Sequence, residues 1–104
     1  PTITVSATPL KATTVGASPP TGYTDTVNYT ATATPALVSG TPVAAACTTA
    51  AATCTSSAAT QPARLSNSSG NVTVTISSPT ANGSILAADP TYQGVVTVTV
   101  GVGV

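Results

Sequence analysis

The chain has 104 residues and a net charge of zero, and only 4% of its residues are charged although 41% are hydrophobic. The charged residues are Lys11, Asp25, Arg64 and Asp89, and the chain contains no His and no Glu. It therefore lacks a side chain that titrates near neutral pH for acid–base catalysis, enough ligands for a closed zinc site and enough cations for a nucleic-acid interface. We predict a single domain that is not an enzyme, needs no cofactor or metal and binds no nucleic acid.

The hydrophobic fraction overstates the core that this chain can form. Eighteen of the hydrophobic residues are Ala, whereas Val, Leu and Ile together number 20 and Phe is absent. A short chain with so few large apolar side chains has little apolar area to bury. The composition is therefore not that of a self-sufficient soluble monomer.

Four segments alternate between apolar and mainly hydroxyl-bearing residues, which is typical of half-buried β-strands. In chain order they cover residues 2–8, 24–34, 71–77 and 95–104. Because Val, Ile and Thr favour strands and no segment has helical periodicity, the sequence predicts an all-β protein. The residues predicted to face inward are Ile3, Val5 and Ala7; Val27, Tyr29, Ala31 and Ala33; Val72, Val74 and Ile76; and, in the C-terminal core strand, Val96, Val98, Val100, Val102 and Val104.

Turn-forming residues separate these segments. Pro residues fall between the alternating runs, and Asn82-Gly83 is a strong tight-turn signal. Shorter strands are predicted at Leu37 to Val38 and at Ile85 to Ala87. About six or seven strands at this spacing indicate a β-sandwich or a barrel, and we favour the sandwich.

The two cysteines, Cys47 and Cys54, lie seven positions apart in a segment of small residues. One interpretation is a redox pair or metal clip, but those sites use a two-residue gap. The other is a structural disulfide, which would stabilise this thin core by roughly 2 to 3 kcal/mol in the chain-entropy model. We predict the disulfide, and with it a location outside the reducing cytoplasm.

All four Asn residues lie in N-glycosylation sequons: Asn28, Asn67, Asn71 and Asn82. Asn beside Ser or Thr is also ordinary composition for turns and solvent-facing strands. Both interpretations stay open. Glycans would solvate a surface that has almost no charge.

Both ends of the chain are alternating strands without a charged residue. Such strands readily pair with another chain when their edges are exposed. The N-terminal residues Thr2, Ile3, Thr4, Val5, Ser6, Ala7 and Thr8 could form the first strand of their own sandwich or could fill a gap in the sheet of a neighbouring subunit. The thin core favours the second alternative, because a borrowed strand supplies apolar area.

The two ends resemble chaperone–usher pilins, especially the alpha-type fimbrial subunits, and spore-coat-U-like secreted domains. The similarity lies in Thr2-Ile3-Thr4-Val5-Ser6-Ala7 and in Asp89-Pro90-Thr91-Tyr92-Gln93-Gly94 followed by an alternating valine strand. The resemblance implies an immunoglobulin-like β-sandwich that is completed by a strand from a neighbouring subunit. It divides the chain into a donor strand at residues 1–9 and a pilin-like domain at residues 10–104.

From this resemblance and the composition we expect a structural subunit of an extracellular filament, a pilus or fimbria that serves adhesion or surface attachment. Its partners would be identical subunits in a helical homopolymer and an assembly chaperone. No apolar run is long enough to predict a membrane-spanning helix. The alternative is an adhesive or decorating module on a virion or cell surface, complete in one chain; a third possibility is one domain of a larger surface protein.

Overall fold

The computed structural model describes residues 1–13, 21–66, 72–81, 85–86, 89 and 91–101, and these residues form β-strands and connecting segments without a helix. The all-β prediction is confirmed. The strands are β1 (Thr2–Ala7), β2 (Leu10–Ala12), β3 (Tyr23–Thr24), β4 (Thr26–Pro35), β5 (Ala45–Thr48), β6 (Cys54–Thr55), β7 (Ala59–Thr60), β8 (Val72–Thr80), β9 (Ile85–Leu86), β10 (Tyr92–Gln93) and β11 (Val96–Gly101).

The first sheet is built around β1. Strand β11 pairs with one edge of β1 along its whole length, and the short strands β6 and β7 pair with the other edge. All three pairings are antiparallel. The N-terminal strand is therefore a central strand, and the C-terminal strand β11 lies beside it.

The second sheet is built around β4. Strands β5 and β8 both pair with β4 over residues 30–33, so they lie on opposite edges of it. Strand β2 pairs with the beginning of β4, and β10 pairs with β2. A separate parallel pair joins β3 to β9.

The core lies between the two sheets. Ile3, Val5 and Ala7 on β1 are almost completely buried, as their alternation predicts. They pack with Tyr29, Ala31 and Ala33 of β4 and with Ala45 of β5. Most of the buried core residues of the second sheet are alanines, so few bulky side chains fill the interior.

The inner face of β4 follows the predicted alternation more closely than its outer face. Tyr29, Ala31 and Ala33 are buried as predicted, whereas Val27 is only half-buried. Thr26 and Asn28 alternate with these inward-facing residues, yet they too are buried, at 4% and 8% exposed. Thr26 bonds to the adjacent Asp25 and Asn28 to Thr49 of the segment after β5, and a buried polar group needs such partners.

The predicted disulfide between Cys47 and Cys54 is confirmed, with a Cα–Cα distance of 5.8 Å. Cys47 lies on β5 in the second sheet, and Cys54 lies on β6 in the first. The bond therefore joins the two sheets along one side of the core.

Among the described residues, no helix is long and apolar enough to cross a membrane.

Candidate functional site

The N-terminal strand is the segment that the sequence predicts to pair either within its own sandwich or with a neighbouring subunit. Residues Thr2 to Ala7 form β1 with the predicted alternation, and Thr8 follows just outside the strand. Within this chain, β1 pairs with strands of the same subunit on both edges. This arrangement matches the intrachain alternative, in which residues 2–8 form a strand of their own sandwich.

One edge of β1 is matched residue by residue to the C-terminal strand. Ile3 lies opposite Val100, Val5 opposite Val98 and Ala7 opposite Val96. Residues directly opposite in an antiparallel pair share a face, so these valines face the same side of the sheet as the buried residues of β1. Val96 and Val98 pack against the core, as predicted. Val102 and Val104, the last two residues predicted for this row, lie outside the described residues.

The other edge of β1 is held by backbone and side-chain bonds. The Ser56 amide donates to the Val5 carbonyl over 2.8 Å, and the Val5 amide donates to Ser56 Oγ over 3.0 Å. The Gln61 amide donates to the Pro1 carbonyl over 2.9 Å. The buried Gln61 side chain also accepts from the Val43 amide and donates to the Val43 carbonyl.

Ser56 and Gln61 were not identified from the sequence. Neither belongs to an alternating run, and their role depends on the packing of residues 56–61 beside β1. A lone buried Gln that satisfies a loop backbone leaves no periodic signal.

A two-residue hinge, Thr8-Pro9, joins β1 in the first sheet to β2 in the second. The hydroxyl of the buried Tyr29 donates to the Thr8 carbonyl over 2.5 Å. The Thr8 amide donates to the Val95 carbonyl over 2.9 Å, and the Val95 amide donates to Thr8 Oγ1 over 2.8 Å. The hinge is therefore held by Tyr29 of the second sheet and by the backbone of Val95, next to β11 of the first sheet.

The hydroxyl of Tyr29 should contribute to stability in a pH-dependent way. Burial raises the pKa of Tyr29 above its ordinary value of 10.0. As the pH rises above 10, the unfolded chain loses this proton before the folded chain does, so the free energy of unfolding should fall. Tyr29→Phe should lower the free energy of unfolding by about 0.5 to 1.5 kcal/mol at pH 7, because the hydrogen bond is removed. Above pH 10 its free energy of unfolding should fall less steeply than that of the wild type. Urea unfolding between pH 7 and 11 measures both effects.

Tyr92 provides the comparison for that experiment. Its pKa is also raised, first by desolvation and then by the negative charges of Asp89 and Asp25. Tyr92→Phe should therefore also reduce the fall in the free energy of unfolding above pH 10, but it leaves the bond from Tyr29 to the Thr8 carbonyl in place. If Tyr29→Phe had wild-type stability at pH 7, the hydroxyl would not be holding the hinge.

Gly94 lies where the hinge passes the end of β10. A Cβ atom at position 94 would be 2.9 Å from the Thr8 carbonyl oxygen and 3.2 Å from that of Pro9. Because these are backbone atoms, they cannot rotate away. Gly94→Ala should lower the free energy of unfolding by about 1 to 3 kcal/mol, whereas the exposed neighbour Gln93→Ala should change it by less than about 0.5 kcal/mol. Chemical denaturation of both variants tests this, and equal stabilities would exclude a tight contact at Gly94.

Two of the charged residues, Lys11 on β2 and Asp25 beside β4, form an ion pair. Lys11 Nζ lies 3.3 Å from Asp25 Oδ1, and Thr26 Oγ1 donates to the same oxygen over 2.9 Å. The Thr26 bond and the Lys11 charge lower the pKa of Asp25 against the opposing effect of burial. Asp89 accepts a bond from the Thr91 amide, as a turn residue does. Within the described residues, no three Cys or Asp side chains gather to hold a metal ion.

The sequon residue Asn28 is buried in polar contacts. Its Oδ1 accepts from Thr49 Oγ1 over 3.0 Å and from the Ala51 amide over 2.8 Å. A glycan would be attached to the other amide atom, Nδ2, of a residue that is only 8% exposed. The other three predicted acceptors lie outside the described residues: Asn67, Asn71 and Asn82.

No protein-family model, curated protein or solved structure matches this chain.

Proposed function

We propose that this protein is the structural subunit of an extracellular filament and that copies assemble by exchanging β1. The observation that carries the proposal is the position of β1. It is a central strand with a fully buried inner row, and only the two residues Thr8-Pro9 separate it from β2 in the other sheet. A strand with these properties can leave its own sheet and occupy the equivalent place in a neighbour.

The energetics of exchange favour assembly at high concentration. In the exchanged form, β1 of one copy would make the same contacts with β11, β6 and β7 of the next copy, so little contact energy is lost. The conformational change would be confined to the hinge. Because β1 and β11 run antiparallel over six residue pairs, the exchanged strand would have a defined register.

An exported filament also accounts for the composition and the disulfide. The bond between Cys47 and Cys54 suits an oxidising compartment. A subunit that functions inside a polymer needs little surface charge of its own. In this proposal the two sheets form an immunoglobulin-like sandwich whose β1 position is filled by the neighbouring subunit, and the filament serves adhesion or surface attachment.

One observation favours a second candidate function, a surface module complete in one chain. Strand β1 already fills its place in its own subunit, with bonds on both edges. In such a module β1 would never leave, and adhesion would depend on the connecting segments.

Cross-linking distinguishes the two functions. Thr4 lies opposite Thr99 on the outward face of the β1–β11 pair. We would replace both by Cys and treat assembled material with a short thiol-specific cross-linker; the native cysteines are already bonded to each other. Strand exchange should produce a ladder of covalent multimers on a denaturing gel.

The control pair is Thr30→Cys with Thr48→Cys, which lie opposite each other on β4 and β5. These residues belong to one subunit in either function, so their cross-link should stay within one chain. If the Thr4–Thr99 pair also reacted only within single chains in assembled material, strand exchange would be refuted and the self-contained module supported.

A further inference from the structure

The two-sheet core has an open side, formed by the edge strands β8 and β11. The inward row of β8 is Val72, Val74 and Ile76, and that of β11 is Val96, Val98 and Val100. In register, Val74 lies opposite the buried Ala33 and Ile76 opposite the buried Ala31. Val100 lies opposite the buried Ile3. Both rows are therefore on the faces that carry the core residues.

Each row is only partly covered in the single chain: Val72, Val96 and Val98 pack against the core, whereas the other three residues are exposed. The exposed fractions are 44% for Val74, 51% for Ile76 and 50% for Val100. The prediction that Val74, Ile76 and Val100 are buried is thus wrong for the single chain, because β8 and the end of β11 lie beyond the part of the core that the opposite sheet covers. The opposite side of the core is closed by the disulfide.

The open side also has unprotected backbone edges. Within the described residues, β8 pairs only with β4, and β11 pairs only with β1. Neither residues 72–81 nor residues 95–101 include a charged residue. Monomeric proteins usually protect such edges with Lys, Pro or a bulge, and here Pro79 and the left-handed Ser78, with a φ of 53°, come only near the end of β8.

We propose that the open side binds the open side of a second copy of this chain, with the β8 edges of the two copies paired antiparallel. A two-fold contact of this kind brings identical surfaces together and therefore needs a self-complementary surface. An uncharged strand of alternating Val or Ile and Thr meets that condition. The second sheet then continues from one copy into the other, and the two sets of valines cover one another.

Because β8 and β11 have no charged residue, we infer that the partner is a second copy of the same neutral surface. A charged partner would lose solvation at this surface without gaining an opposite charge. Another copy presents a neutral edge of the same length and spacing. The contact uses β8 and β11 and leaves β1 in place, so it is independent of strand exchange and would join subunits or filaments side by side.

The test uses a chain in which exchange is impossible. Monomer carrying Thr4→Cys and Thr99→Cys is cross-linked within the chain and studied by sedimentation velocity over a range of concentrations. The cross-linked chain should form dimers, and Ile76→Lys should raise the dissociation constant at least about tenfold, since a charge must then be buried. Ala46→Lys, which adds the same charge to an exposed position on β5, should dimerise normally.

Hydrogen exchange gives a second readout that does not depend on a variant. Amides of residues 72–77 should exchange more slowly as dimers form. The proposal is overturned if the cross-linked chain stays monomeric, or if Ile76→Lys and Ala46→Lys dimerise equally. It is also overturned if residues 72–77 become protected only when a peptide of residues 1–8 is added, because the open side would then bind an incoming strand.

Discussion

Deleting residues 1–8 should abolish cooperative unfolding of the isolated chain. The deletion removes β1, which is the strand that β11, β6 and β7 pair with in the first sheet. Complete burial of a Val or Ile side chain contributes about 1.5 to 3 kcal/mol, so Ile3 and Val5 together contribute about 3 to 6 kcal/mol. That loss is comparable with the lower end of the total stability of a small domain, about 5 to 15 kcal/mol. Thermal unfolding followed by calorimetry and circular dichroism should show no sharp transition.

A synthetic peptide of residues 1–8 should restore the fold when added to the truncated chain. Because the peptide binds the folded form, the midpoint of unfolding should rise with peptide concentration, by an amount equivalent to about 2.7 kcal/mol at a hundred times its dissociation constant. A peptide carrying Val5→Asp is the matched control and should have no effect, since it would place an unpaired charge in the core.

The contrary result would be a truncated chain that melts at the temperature of the full chain and ignores the peptide. The remaining strands would then form a complete core, and β1 could not drive assembly. Restoration by the peptide would establish that the place of β1 can be filled by another molecule, which strand exchange requires.

The alternation of side chains predicted the strands well because it depends only on local geometry. Ile3, Val5 and Ala7 face inward since successive residues of a strand point to opposite sides. The same pattern does not specify which strand lies alongside. Nothing in residues 2–8 indicates that Ser6 is opposite both Thr97 and Thr55.

Alternation also does not report whether a second layer covers a face. Val74 and Ala33 lie on the same side of the second sheet and belong to equally regular strands. Ala33 is buried because β1 packs over β4, whereas Val74 is exposed because β8 lies beyond the part of the second sheet that β1 covers. That difference depends on the arrangement of whole strands.

The contacts around the hinge depend on residues far apart in the chain. Tyr29 was predicted to be a core residue, which it is, but its bond to the Thr8 carbonyl required the sheets to be in place. Gly94 belongs to the C-terminal motif of the pilin resemblance. Its close approach to the Thr8 carbonyl gives a local reason for the absence of a side chain there.

Ile3→Ala should produce the largest loss of stability among single substitutions in β1. Ile3 is fully buried and is one of the few large side chains in a core made mostly of Ala. Such truncations cost about 2 to 5 kcal/mol because surrounding groups fill the cavity only in part. The control is Thr4→Ala on the outward face of the same strand, which should change the free energy of unfolding by less than about 0.5 kcal/mol. Urea unfolding at protein concentrations at which sedimentation velocity shows only monomer measures both values without interference from assembly.

The same pair of variants connects stability to assembly. If β1 is exchanged, Ile3 lies in the core of the neighbouring subunit. Ile3→Ala should then remove from the filament the same core contacts that it removes from the monomer. Filaments of Ile3→Ala should then dissociate at a lower denaturant concentration than those of Thr4→Ala. If Ile3→Ala destabilised the monomer while its filaments resisted denaturant as well as those of Thr4→Ala, the contacts that hold subunits together would lie elsewhere, and the open side formed by β8 and β11 would be the next surface to test.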